Sequence, residues 1–216
     1  MTEATADRCD FCSEFEDSTY ADSTRIIWSN KDFMLLPTVG CLTPGYCLFM
    51  PRKHVYSFAE INSNDGKEVI YYLEKFRSEI SNIFGPAIIV EHGSAYCDKG
   101  AGCCSHAHMH IIPVRSDKVI DEFEKIGAEA QVLLKYEELN RYSGSPYVFL
   151  SPASHLYLVY RADRFYSQFI RIVVSRILGF EWLYNWRKFP FHENMIITQQ
   201  ALSTRLEALS QGNSNN

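Results

Sequence analysis

Ser105-His106-Ala107-His108-Met109-His110-Ile111-Ile112-Pro113 is the stretch on which the reading of the fold turns. Side chains alternate along a strand with period two, so three histidines at i, i+2 and i+4 share one face. Ala107, Met109 and Ile111 then point the other way, toward a core. At about 3.3 Å per residue the three histidines span roughly 13 Å. A His-x-His pair can chelate one zinc, but a tetrahedral ion with ligands at ~2.0–2.1 Å cannot collect all three from a flat strand. At least one imidazole therefore has another task. Neutral imidazole is a nucleophile and proton carrier near pH 7. Imidazolium donates hydrogen bonds to anionic oxygens. A central nucleophile flanked by donors suits attack at phosphorus. The preceding Gly100-Ala101-Gly102-Cys103-Cys104 supplies small residues whose N–H groups can approach phosphate oxygens closely.

Outward from this stretch, the pattern predicts more strands and one long helix. Arg25–Trp28 and Phe33–Leu36 read as strands around a Ser29–Asp32 turn. Leu42-Thr43-Pro44-Gly45 reads as a turn, and Tyr46–Met50 as a buried strand ending at Pro51. Residues 57–83 carry Val69, Tyr72, Leu73, Phe76, Ile80 and Ile83 at helical spacing, with Gly85-Pro86 as the stop. Ala87–Val90 reads as a central strand and Ser105–Val114 as another. The expected fold is α+β: an antiparallel sheet with one long helix packed on it. Past residue 115 the signal weakens. Gln131–Leu134, Tyr147–Leu150 and Leu156–Tyr160 read as strands, and Ser167–Leu178 and Glu193–Leu209 as helices. The expected division is a catalytic unit over 1–115 and a mixed α/β extension over 116–216, packed on that unit or on a dimer partner.

Composition bounds the function classes. The chain has 216 residues, 46% hydrophobic and 22% charged, within the globular range. A chain of this mass buries roughly 70% of its unfolded surface, enough for a core without staples. The net charge of −5 argues against an extended nucleic-acid surface. Met1–Asp10 has neither the basic nor the apolar segment of a secretory signal. Phe169–Phe180 is too short and too charged to span a bilayer. A cytoplasmic protein with no membrane partner is the expectation. Seven cysteines then read as thiols or metal ligands.

His106-Ala107-His108-Met109-His110-Ile111-Ile112 resembles the motif of the histidine triad (HIT) superfamily, His-φ-His-φ-His-φ-φ with φ apolar. Cys9-Asp10-Phe11-Cys12 is similar to the N-terminal Cys-x-x-Cys of many members. Pro44–Val55 resembles the family's Pro-Gly-His-x-Leu-x-x-Pro-x-x-His-x segment, with Tyr46 in place of its first histidine. Glu91-His92-Gly93 stands where relatives carry a similar x-x-Gly. The resemblance covers roughly residues 9–115. It implies a HIT-like fold and a nucleotidyl hydrolase or nucleotidyltransferase acting on the α-phosphate of a nucleotide conjugate. His108 would be the nucleophile and His110 would hold the non-bridging oxygens. Gly102, Cys103, Cys104 and Ser105 would lie beside the phosphate. In members with Cys-x-x-Cys the resemblance further implies a structural zinc, which maps to Cys9, Cys12, His54 and His106. Ordinary thiols and a redox pair are the other readings of Cys9 and Cys12.

The sequence departs from small family members in two places. Leu35-Leu36-Pro37-Thr38 lacks the acid or amide expected for the ribose hydroxyls, and Leu36–Gly40 looks closer to CwfJ-like and nucleotide-sugar phosphorylase-like relatives. Glu91 stands where an amide is common, with orientation of His108 and repulsion of an extra phosphate as its two readings. Arg171 and Arg187 could reach a substrate phosphate, since guanidinium binds it bidentately, but they read more simply as solvated or paired with acids such as Glu181, and His92, His155 and His192 read as structural. The expected partners are a nucleotide-containing small molecule and a second copy of the chain. The alternative functions are a non-catalytic nucleotide-binding scaffold and a metal-dependent hydrolase built on His-x-His.

Overall fold

The computed structural model describes residues 9, 11–12, 25–61, 63–94 and 106–212, with backbone alone at 63–65 and 207–212. Eight strands form one sheet: β1 (Trp28–Ser29), β2 (Phe33–Pro37), β3 (Cys47–Pro51), β4 (Ile88–Gly93), β5 (Met109–Ile112), β6 (Ala130–Leu133), β7 (Tyr147–Ala153) and β8 (Leu156–Arg161). Their order is β1-β2-β3-β5-β4-β7-β8-β6, antiparallel throughout. Among the described residues, the helices α1 (Ser63–Phe84), α2 (Ser116–Lys125), α3 (Phe169–Ile177) and α4 (His192–Gly212) pack around it. The fold is α+β, as the strand and helix pattern predicted.

Alternation along the strands splits the interior into two layers. On one face Phe33, Leu35, Phe49, Ile89, Met109, Ile111 and Phe149 meet Val69, Leu73, Phe76 and Ile80 of α1. On the other, Met34, Leu36, Leu48, Val90, Ile112 and Val148 meet Phe123 of α2 and Phe169, Ile170 and Val173 of α3. Each fully buried side chain of this size contributes roughly 1.5–3 kcal/mol. The helices of the second layer come from the sequence after residue 115. Its strands join the same sheet through β4 and β7, where Val90 faces Leu150. Helix α4 is fastened to the turn before β3: the Thr198 hydroxyl accepts the Gly45 N–H at 2.8 Å, and the Asn194 amide donates to the Cys41 carbonyl at 2.8 Å. No helix among the described residues is long and apolar enough to cross a membrane.

Three elements differ from their sequence reading. The helix expected from 57 begins at Ser63, after a 3-10 turn over Phe58–Glu60. Glu91 is the reason. Its carboxylate is 1% exposed on the α1 face, accepts the Phe58 N–H at 2.8 Å and takes the Tyr147 hydroxyl at 2.5 Å. It therefore neither orients His108 nor faces a phosphate. The strand expected over 105–114 pairs only at Met109–Ile112, because residues 106 and 107 spend their polar groups on the 51–55 loop. Ala107 N–H donates to the Val55 carbonyl at 2.8 Å. Helix α2 is absent from the sequence reading, although Val119 and Phe123 are buried and Ile120 and Ile126 pack beside them at helical spacing.

Burial pushes Glu91 up from 4.5 to about 8, against the Tyr147 and Phe58 donors that favour the carboxylate. Its neutral form is the one the fold prefers. That stabilisation is complete below pH 4.5 and is lost as pH rises through 8. Urea melts should show the wild type losing ground to Glu91→Gln by up to ~1.4 kcal/mol per pH unit across that window. Parallel pH profiles for the two proteins would disprove it.

Candidate functional site

Two constellations meet at the histidine strand. The first joins Cys9, Cys12, His54 and His106, whose ligand atoms all lie within 4.8 Å of one another. Cys9 Sγ is 3.7 Å and Cys12 Sγ is 3.5 Å from His106 Nδ1, and Cys12 Sγ is 3.3 Å from His54 Nδ1. A tetrahedron with Zn–S near 2.3 Å and Zn–N near 2.0–2.1 Å has an S···N edge of about 3.6 Å. The four residues therefore fit a zinc ion. The tautomer of His106 fits as well. Its Nε2 lies 2.7 Å from the Pro51 carbonyl, which can only accept, so Nε2 carries the hydrogen and Nδ1 turns its lone pair to the thiols. Burial pushes His106 down to about 4 against that carbonyl, and burial lowers His54 against Glu60. Both imidazoles are then in the neutral form that ligates metal.

The second constellation is a cavity on the α2–α3 face of the sheet. Phe11 separates it from the metal cluster, its ring centroid 6.0 Å from His106 and 5.8 Å from His108. His108 is half-buried at the cavity wall. Its Nδ1 lies 2.7 Å from the His106 carbonyl. The same logic places the hydrogen on Nδ1 and leaves the Nε2 lone pair free. The His110 ring packs edge-on to His108 with centroids 4.7 Å apart, and its Nδ1 is 2.9 Å from the Tyr46 hydroxyl. Tyr46 thus fills the place of the family's histidine with a phenol that orients His110. Burial lowers the pKa of His108 against the His106 carbonyl. It holds His110 well below the ordinary range, helped by repulsion from His108 and His92 when those rings are protonated and from the Arg171 guanidinium.

The structure brings together Cys9, Cys12, His54 and His106, and separately His108 and His110. Gly102, Cys103, Cys104 and Ser105 lie outside the described residues. Two cavity residues run against their sequence reading. His92 lines the cavity with His108 and His110. The pairing of Val90 with His110 carries forward to place His92 level with His108 on the same face. That register is a long-range fact with no local signal. Arg171 is 5% exposed and lines the same cavity rather than facing solvent or an acid; the arginine that pairs with Glu181 is Arg176, at 3.1 Å. Its signal is a lone cation inside the apolar run Phe169–Val174. Phe123, Phe165, Phe169 and Trp186 make the apolar wall opposite the histidines.

A family model described as "Protein similar to CwfJ C-terminal" matches residues 1–124. No curated protein matches the sequence. Solved structures with a similar course of chain include a member of the HIT family from Bacillus subtilis, at 19% identity and TM-score 0.41, covering 49% of this chain and 72% of that one. A hypothetical protein from Leishmania major is 18% identical with TM-score 0.41, covering 57% and 96%. A Zn-bound histidine triad family protein from Mycobacterium smegmatis is 15% identical with TM-score 0.41, covering 63% and 91%. All three are remote likenesses.

An ordinary histidine, with pKa about 6.5, is mostly protonated at pH 6. The imidazoles of His108 and His110 should both take up their protons at a lower pH than that, His110 the lower of the two. Side-chain 15N titrations follow each ring directly, and either ring protonating like an ordinary histidine would contradict the burial argument.

Proposed function

This chain belongs to the family of proteins similar to the CwfJ C-terminal, and on that premise we propose that it is a nucleotidyl hydrolase or transferase working through His108. The single observation that carries this reading is the bond from His108 Nδ1–H to the His106 carbonyl, beside a cavity. It fixes the tautomer whose Nε2 lone pair can attack. Nε2 attacks the α-phosphorus of a nucleotide conjugate, and the bond from phosphorus to the leaving group breaks. A nucleotidyl group is then bonded to His108 Nε2, and the ring becomes cationic. The His106 carbonyl stabilises that cation through a strengthened hydrogen bond. Water or another acceptor attacks the same phosphorus and frees Nε2.

His110 supports the transfer as a neutral donor. With the Tyr46 hydroxyl donating to Nδ1, its Nε2–H is available to a non-bridging phosphate oxygen. Their place just before the triad assigns Ser105 and Cys104 to the leaving-group side, and the N–H groups of Gly102 and Cys103 to the phosphate. The apolar wall of Phe165, Phe169 and Trp186 suits a nucleobase.

Cys9, Cys12, His54 and His106 hold a structural zinc in this reading. When bound, the ion cross-links the start of the chain to the His54 loop and to His106. The carbonyl of His106 is the one that orients His108, so the metal corner positions the nucleophile without touching substrate.

Mass spectrometry after mixing with nucleoside polyphosphates and nucleotide sugars should find a nucleotidyl mass on the peptide containing His108. His108→Ala should abolish it and slow turnover at least about a hundredfold. Because burial lowers the pKa of His108, adduct formation should decline with acidification only at a lower pH than an ordinary histidine of pKa about 6.5 would impose. Nucleotide binding with no adduct would instead favour the non-catalytic binding reading. Elemental analysis should give one zinc per chain. Cys12→Ser should lose it and lower the melting temperature by more than ~5 °C; purified wild type free of zinc would refute the metal assignment.

A further inference from the structure

We propose that Arg171, which lies beyond the part of the chain matched by the family model, forms a second phosphate subsite in the histidine cavity. The cavity would then select nucleotides carrying a phosphate beyond the α-phosphate. The inference rests on the reading of this cavity as a nucleotide site.

The first argument is charge. Arg171 is 5% exposed, and among the described residues no carboxylate pairs with it. Burying a guanidinium without a counter-charge is far costlier than burying an apolar side chain of similar size. Its two hydrogen bonds go to neutral carbonyls: Nε donates to Tyr184 at 2.8 Å and Nη2 to Gly40 at 2.6 Å. These hold the planar fork in place without neutralising it, and they leave Nη1 uncommitted. A fixed, uncompensated fork at a cavity wall matches the oxygens of a phosphate.

The second argument is the room made for it. Gly40 has φ +71, and a Cβ there would lie 2.5 Å from Arg171 Nη2 and 2.5 Å from Trp186 Cβ. Glycine is what lets the loop after β2 pass this close to the guanidinium.

The third argument is position. Arg171 Cζ is 5.8 Å from the centroid of the Tyr46 ring, whose hydroxyl reaches His110 Nδ1 at 2.9 Å. The cation therefore stands one ring away from the histidine assigned to the α-phosphate.

Gln168 adds an independent observation. It lines the same cavity, holds a left-handed backbone at φ +60, and its Oε1 is buried with no hydrogen-bond partner. Strain of this kind persists where the surroundings impose it, often at binding sites. A cation without an anion and an acceptor without a donor, three residues apart, complement a ligand that carries both phosphate and hydroxyl groups.

Calorimetry on the full chain with the 5′-mono- and 5′-diphosphates of adenosine, guanosine, cytidine and uridine tests this. For the preferred base, the wild type should bind the diphosphate about tenfold more tightly than the monophosphate. Arg171→Met should cut that preference to threefold or less while leaving monophosphate affinity within threefold. Arg171→Lys, which keeps a donor for the carbonyls but not the fork, should shrink the preference in the same direction. It decides the matter alone if Arg171→Met does not fold. A purely structural role would weaken both classes of nucleotide together. No preference in the wild type, or an unchanged preference in the variants, overturns the subsite. If His108 forms its adduct while that preference is absent, the subsite falls and the catalytic reading stands; if no nucleotide binds, both fall.

Discussion

The antiparallel ladder that holds β5 between β3 and β4 is the constraint on which the molecule depends. Leu48 and Val90 flank His110 on either side, and the pleat then dictates everything along the strand. Met109 and Ile111 are driven into the layer beneath α1, and His110 and Ile112 into the opposite one. A one-residue slip would exchange the two sets, burying imidazoles among leucines and phenylalanines and exposing a row of apolar side chains. Register is thus enforced by hydrophobic burial on one face and expressed as chemistry on the other. The same ladder aligns His92 with His108, so a third imidazole reaches the cavity without any motif of its own.

The sheet does not end where the triad ends. β7 pairs with β4 from Ile89 to Gly93 and takes up an edge that would otherwise be open. The chain then returns with α2 and α3 across the histidine face. A row of histidines that would titrate near 6.5 in water is thereby desolvated, and desolvation is the leading cause of the lowered pKa at His92, His106, His108 and His110. The sequence after residue 115 therefore does more than thicken the core. It helps to bury the cavity imidazoles that the earlier part of the chain supplies, which disfavours their charged forms.

What was legible in the sequence follows from which signals are local. Period-two alternation around His108 and helical spacing from Val69 to Ile80 are local, and both elements are present, though the helix begins at Ser63 rather than 57 and the ladder at Met109 rather than 105. The Cys9–Cys12 and His54–His106 grouping was legible through resemblance, since the segments involved are far apart along the chain. Glu91 was misread because its two candidate roles both assumed the histidine face. The alternation of β4 puts its carboxyl on the other face, under the Phe58 N–H and the Tyr147 hydroxyl. Arg171 was misread for a different reason. A buried cation usually announces itself by a nearby acid, and here its partners are backbone carbonyls of Gly40 and Tyr184, which leave no trace in composition. The helix over Ser116–Lys125 carries a local signal, with Val119, Ile120, Phe123 and Ile126 at helical spacing against the core, that the strand-centred reading of the sequence leaves unused.

The two constellations are joined by one peptide group. His106 gives its ring to the cysteine corner and its carbonyl to His108. Any tightening of the corner that fixes the His106 backbone also fixes which nitrogen of His108 holds the proton. The arrangement separates three demands that conflict in a single residue: metal ligation needs a neutral ring, nucleophilic attack needs a lone pair aimed at the cavity, and anion binding needs a permanent charge. Neutral imidazoles at 106 and 108 meet the first two. A guanidinium meets the third, because it keeps its charge when buried where a histidine would lose its own. Placing that charge near His110 also makes imidazolium there still less favourable, so the two groups cannot exchange roles. A neutral histidine row beside a fixed arginine is an electrostatic pattern that suits the phosphate-centred reaction proposed for this cavity.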